Sequence, residues 1–481
     1  APPGFGAPDP DRPVGLTVAS EDVIDGYILA SIIQSTSPVL MDRAGNVVKT
    51  WDNENFLGQS VYLLPNGNLL RTTSLPDQAF GQGGMWGFTN NRIEEVNWDG
   101  ETVWSYDFGE ENKVGHHDIA YMPNGHILII AFERHTGEDA LANGLKPDVL
   151  DENGEHADEI WSEVIFEIDP ATNETVWEWH VWDHVVQEYD SELANYGMVA
   201  ENPGRININY PQDPDRDPDW LHINSVAYHA DLDQIVLSPR TFSEFWIIDH
   251  SISTEEAAGP AGDLLFRWGN PAAHGVGDAE QHMYYQHDPG WIPEGYPGAG
   301  HMLVYDNGDT TNRPYSTIIE VELPVDDDGN YIMLPNEPTG PDAIVWQYVA
   351  DPPEAFYSAF ISSAQRLANG NTLIAEGSGG RVFEVTPEGE IAWEYYFPPA
   401  TWVFRAELYD LSGLDVDLSQ KSTFEGGIVW GKDCVDGTRP RLHEYLFTEY
   451  DAVHLFIDTH GDNAQAQWEM EACAEHGGIA E

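Results

Sequence analysis

The sequence predicts an all-β fold, a six-bladed β-propeller with a small disulfide-linked C-terminal extension, and three observations carry that expectation. A short strand ending in tryptophan recurs six times, as VVKTW (Trp51), TVWSY (Trp104), TVWEW (Trp177), LLFRW (Trp268), IVWQY (Trp346) and IAWEY (Trp393). Ahead of five of these stands a hairpin with its own turn: LLPNGNLL (63–70), YMPNGHILI (121–129), YHADLDQIVL (228–237), PGAGHMLVY (297–305) and RLANGNTLI (366–374). No stretch of any length shows helical periodicity. Four antiparallel strands per unit and six units describe a ring of blades, which leaves no sheet edge open; an open solenoid is the alternative.

The elements follow in order. Residues 1–20 hold five prolines and three glycines and read as an extended arm. The propeller is expected over 21–410. Its first unit has strands near 27–33, 38–42 and 46–51 and is one short, so TWVFRAELYD at 401–410 is expected to complete it from the C-terminal side. Long insertions at 133–160, 183–220 and 270–298 exceed simple connections and are expected to build a functional face. From 411 to 481 the theme stops, and the segment reads as a cap. Cys434 and Cys473, the only cysteines, both lie there; in an exported chain a lone pair favours a disulfide over a metal site.

Composition narrows the partners. With 83 acidic and 20 basic residues the formal charge is −63, so nucleic acid and anionic membranes are excluded as partners. Something must screen that charge. Near molar salt the Debye length falls to about 3 Å, which points to a salt-rich habitat; recruitment of divalent cations is the other option. At 41% hydrophobic and 12% aromatic the chain can bury a large core. No run of eighteen apolar residues exists, so no membrane span is expected. The first residue is Ala, which suggests a leader removed on export.

The functional signal lies in the hairpin LHINSVAYHADLDQIVLSPR (221–240). His222 opens it and Arg240 closes it, eighteen positions later, and antiparallel strands return those ends to one place. The third unit opens with GHHDIAYMPNG and the fifth with YYQHDPGW, which puts His117, His222 and His287 at comparable starts of first strands. In a propeller those strands line the channel, so the three histidines converge beside Arg240. Zinc could use three histidines, but Arg240 would be repelled by a dication and the ligands would come from separate blades. A serine hydrolase lacks its G-x-S-x-G elbow, since Gly377-Ser378-Gly379-Gly380 reads as a tight turn. A histidine attacking sulfur or phosphorus, with imidazoles and an arginine neutralising the anion's oxygens, uses every member. No cofactor is called for. Acidic runs at 326–330 and 213–219 could hold calcium, although composition alone produces such runs. The tryptophans read as packing between blades.

The segments HHDIAYMPNGHIL, HINSVAYHADLDQIVLSPR, QHDPGW with HMLVYDNG, and RLANGNTLIAEGSGGRVFEVTPEGEIAWEY resemble the bacterial arylsulfate sulfotransferases, over about residues 21–410. The resemblance implies a six-bladed propeller in which a channel histidine takes the sulfuryl group of a phenolic sulfate as sulfohistidine and passes it to another phenol, without a nucleotide donor. By motif it implies His287 as nucleophile, His222 and Arg240 as holders of the anion, and His117, taken in preference to His116, as the remaining histidine. The family's N-terminal dimerisation domain has no counterpart in the twenty residues ahead of the first blade, which leaves the oligomeric state open. The expected reading is therefore a secreted, salt-adapted enzyme moving a sulfuryl group between phenols. A non-catalytic extracellular binding or assembly propeller is the first rival. A quinone-dependent dehydrogenase is the second, and it would add a bound quinone and a metal.

Overall fold

The computed structural model of the chain describes residues 12–33, 35–75, 90–108, 113–147, 159–211, 218–277, 279–341, 343–399, 401–419 and 421. It is all-β, in the six-bladed β-propeller arrangement, with six antiparallel blades, five of four strands and one of five. The Cys434–Cys473 pairing and the body of the C-terminal extension lie outside the described residues. The blades belong to two compact units, residues 1–108, 309–316 and 349–481 in one, 109–308 and 317–348 in the other.

The first unit begins with β1 (Gly15–Ala19), β2 (Tyr27–Ile32), β3 (Val39–Asp42) and β4 (Val47–Thr50), followed by β5 (Leu57–Leu63), β6 (Leu69–Thr73), β7 (Arg92–Val96) and β8 (Thr102–Asp107). The second unit holds β9 (Lys113–Tyr121), β10 (Ile127–Thr136), β11 (Glu159–Asp169) and β12 (Glu174–His180), then a short parallel pair, β13 (Val185–Val186) and β14 (Ile206–Asn207). Its other blades are β15 (Ile223–His229), β16 (Gln234–Pro239), β17 (Phe245–Asp249) and β18 (Phe266–Trp268), and β19 (His287–Trp291), β20 (Met302–Asp306), β21 (Thr317–Val321) and β22 (Trp346–Tyr348). The first unit resumes with β23 (Ser363–Arg366), β24 (Thr372–Glu376), β25 (Arg381–Val385), β26 (Ile391–Tyr396) and β27 (Val403–Tyr409).

Within the first unit β27 pairs with β2, Tyr27 opposite Tyr409, and supplies the fourth strand of the first blade. Of residues 1–20, the described part pairs with the last blade: β1 runs antiparallel to β26 as a fifth strand, and Arg12 donates to the carbonyls of Gly379 and Phe397.

The hairpins share one local device. In the Pro-Asn-Gly and Ala-Asn-Gly turns the Asn side-chain oxygen accepts the N–H two residues on, at 2.9 Å for Asn66, 3.0 Å for Asn124 and 3.1 Å for Asn369. The following glycine takes positive φ, 85° at Gly67, 91° at Gly125 and 92° at Gly370, a conformation that costs glycine nothing.

The tryptophans do more than fill space. The indole N–H of Trp51 donates to Asn97 O (3.2 Å), Trp177 to Ile252 O (2.9 Å), Trp268 to Pro341 O (3.0 Å) and Trp393 to Arg43 O (2.8 Å). Each acceptor lies in the blade that packs next to it. A large buried ring thereby both covers the neighbouring sheet and satisfies its one polar atom. Trp104 and Trp346 are partly exposed.

Candidate active site

Of the second unit's three first strands, β15 packs against both β9 and β19, and all three break their ladder. The register shifts between Ile129 and Ala131 opposite β9, between Ile223 and Val226 in β15, and between His287 and Gly290 in β19. Such bulges re-aim side chains at the rim of a sheet. They put His117 (φ 53°), His222 (φ 53°) and Asp288 (φ 55°) into the left-handed region, which non-glycine residues occupy only where the surroundings enforce it.

The bulges also correct the sequence alignment of the histidines. His287 occupies the register of Ile223, His222 lies one residue before that register, and His117 lies inside the bulge of β9. The three imidazoles meet from different registers. The rings of His117 and His222 are 4.5 Å apart. The charges of His222, His287 and Arg240 all act on His117, and those of Arg240 and His222 act on His287. All four sequence-predicted residues therefore share one site.

Each is held by groups the sequence reading missed. Asp219, read there only as part of an acidic run, accepts from His222 through both ring Nδ1 and backbone N–H. Glu163 on β11 accepts the Ile223 N–H at 3.1 Å. Asn307 Oδ1 lies 2.7 Å from His287 Nδ1; with the amide in this orientation the ring proton sits on Nδ1 and Nε2 carries the lone pair. Asn224 donates to Gln286 O at 2.9 Å, and Ser225 Oγ accepts the Asp288 N–H at 2.8 Å, so β15 braces the His287 turn. The Arg240 N–H returns to His222 O at 3.2 Å, which closes the hairpin as expected, and its guanidinium lies 4.5 Å from the ring of Tyr285. Of these, Asp219 carried a signal, an acid three residues before a histidine in D-W-L-H; Asn307 looked like a turn residue in D-N-G.

His116 has a structural part. It stacks on Phe132 at 3.6 Å and its Nδ1 is 2.7 Å from His117 Nδ1. Burial pushes its pKa down to about 3, and burial, with His222, His116, His287 and Arg240 around it, holds His117 well below the ordinary imidazole value. Both rings are thus neutral and each carries one N–H. His116 Nε2 is buried without a partner, so the tautomer that orphans no N–H has His116 donating from Nδ1 to His117. His117 then keeps its proton on Nε2. Burial and the Arg240 charge hold His287 well below the ordinary imidazole value too, partly offset by its acceptors Asn307 and the Tyr285 carbonyl. A neutral imidazole can act as a nucleophile through its unprotonated nitrogen.

The 326–330 run closes on itself. Asp326 Oδ1 accepts the N–H groups of Asp328 and Asn330, both at 2.9 Å, and caps its own turn; residues 213–217 lie outside the described residues. Among the described residues no group of three or more His, Cys, Asp or Glu side chains is arranged to hold a metal ion, and no helix is long and apolar enough to cross a membrane.

The openings of β9, β15 and β19 and the end of β16 thus bring three imidazoles and a guanidinium near one another. Comparison with known proteins narrows the class. Residues 18–395 match the arylsulfotransferase (ASST) family. The chain belongs to that family, as its motifs suggested. No curated protein matches it. Among solved structures it is similar to a protein of unknown function from Bacteroides caccae (12% identity, 80% of this chain and 98% of that one, TM-score 0.43). It is also similar to a streptogramin B lyase (12%, 84% and 96%, TM-score 0.37) and to a virginiamycin B lyase from Staphylococcus aureus (10%, 70% and 69%, TM-score 0.32).

Proposed function

We propose that the protein transfers a sulfuryl group from a phenolic sulfate ester to a phenol through sulfohistidine at His287. The carrying observation is the neutral His287 ring, its Nδ1 occupied by Asn307 and its neighbours Arg240, His222 and His117 all donors. In the first half-reaction His287 Nε2 forms the N–S bond as the ester S–O bond breaks. Arg240 and His222 hold the sulfuryl oxygens, and Asp219 fixes the His222 ring through its Nδ1. The His117 Nε2–H is placed to donate a hydrogen bond to the departing phenolate oxygen, which leaves as phenolate. A second phenolate then attacks sulfur, breaks the N–S bond and releases the neutral His287 imidazole.

Intact-protein mass after mixing with aryl sulfate alone tests this. The expected result is a gain of one sulfuryl group, lost on adding phenol and absent in His287→Asn. Turnover without an adduct and with an active His287→Asn would overturn the nucleophile. Neither turnover nor binding would leave a non-catalytic propeller.

A further inference from the structure

Glu163 is a carboxyl of the site that the mechanism leaves unused. It projects from β11, is fully buried, and accepts the Ile223 N–H at 3.1 Å, with the His222 N–H also directed at it. Its second oxygen is buried and has no hydrogen-bond partner. Asp219, 6% exposed, lies close enough for its charge to act on Glu163. Two carboxyls therefore flank the His222 peptide, one holding the ring and backbone, the other the backbone alone.

They cannot both be ionised at reasonable cost. An anionic oxygen with no donor, fully buried beside a second carboxylate, is far worse than a hydroxyl that merely lacks an acceptor. Burial and Asp219 accordingly hold the Glu163 carboxyl well above the ordinary carboxylate range. Asp219 has the His222 ring and N–H as donors, whereas the second Glu163 oxygen has none.

We propose that Glu163 is a proton-carrying positioning residue. Its carbonyl oxygen clamps the strained His222 turn, and its retained proton keeps Asp219 the single negative charge behind His222. An ionised Glu163 would put a second anion behind the group that must receive the sulfate ester, and would oppose its binding. The role rests on the sulfuryl-transfer reading given above.

The other titratable groups around this pair are His222 on the segment opening β15, His116 and His117 on β9, His287 on β19, and Arg240. His116, His117 and His287 are neutral far into acid and Arg240 is charged throughout. Glu163 is thus the group left to respond toward alkaline pH.

The test is the rate of sulfuryl uptake from aryl sulfate alone, followed by intact mass from neutral to alkaline pH. Wild type should slow as Glu163 loses its proton. Glu163→Gln, which keeps the acceptor and cannot ionise, should match wild type within about twofold at neutral pH and lose the alkaline fall. Glu163→Leu, of similar size but with no acceptor, should be slow at every pH, with folding checked by its melting curve. Glu163→Gln as slow as Glu163→Leu at neutral pH, or showing the wild-type alkaline fall, would overturn the proposal.

An infrared difference between wild type and Glu163→Gln supplies a readout independent of activity: a protonated carboxylic carbonyl should be present at neutral pH and missing in the variant. If wild type takes up no sulfuryl group at any pH, the sulfohistidine reading fails, and the infrared band still decides the protonation of Glu163. Absence of that band overturns the proposal.

Discussion

Asn307 is the sharpest handle on the mechanism. It is fully buried at the end of β20, and its Oδ1 accepts His287 Nδ1–H at 2.7 Å. Asn307→Leu removes the acceptor at similar volume, leaving either a buried unpaired N–H or a ring whose proton moves to Nε2, where it blocks the lone pair. The cost of such an orphaned group is about 1–3 kcal/mol, and at 1.4 kcal/mol per tenfold the labelling rate should fall about 10- to 100-fold. KM should change little, because the donors that bind the sulfate are untouched. Asn307→Asp separates geometry from charge. It keeps the acceptor but favours the imidazolium, raising the pKa that burial and Arg240 now hold down. In wild type, His287 stays neutral as pH falls through about 6.5, the ordinary imidazole value, so protonation of the nucleophile should not slow labelling there. In Asn307→Asp the rate should drop in that window. A folded Asn307→Leu that labels at the wild-type rate would refute the tautomer argument and reassign the attacking nitrogen.

The remaining expectations are shorter. Arg240→Lys keeps the charge but loses the planar fork and the face-on contact with Tyr285, so adduct formation should be slow but measurable; a wild-type rate would remove Arg240 from the site. Trp393→Ala should destabilise the fold by about 3–5 kcal/mol in chemical denaturation, since the ring is fully buried, bonds to Arg43 O and lies 4.6 Å from the Arg43 guanidinium; a loss under about 1 kcal/mol would show that the indole bond does not lock adjacent blades. With a net charge of −63, the melting temperature should rise steeply from tens of millimolar sodium chloride toward molar, where the Debye length is about 3 Å. A flat profile would favour tightly bound divalent cations over a salt-rich habitat.

What was legible in the sequence and what was not divides by the range of the interaction. The Asn-Gly turns and the tryptophan strands are local and repeat, and a blade must read alike each time it occurs, so Asn66, Asn124, Asn369 and the Trp series announced the fold without any tertiary information. Arg240 was legible for the same reason, because a hairpin of eighteen residues returns to its start whatever surrounds it. The histidines were found by analogy of position, and that analogy holds only to within a bulge. A bulge adds a residue that no hydrophobic pattern records, since it sits where side chains leave the core. His117, His222 and His287 could thus be named while their registers were misaligned. Glu163 and Asn307 were beyond reach because each acts across strands on a neighbour chosen by the fold: Glu163 meets Ile223 sixty positions away, and Asn307 meets His287 twenty away. In a chain with 83 acidic residues a further Asp or Glu carries almost no information. Burial supplies it instead: Glu163 matters because it is among the few carboxyls that water cannot reach, and water is what makes the others interchangeable.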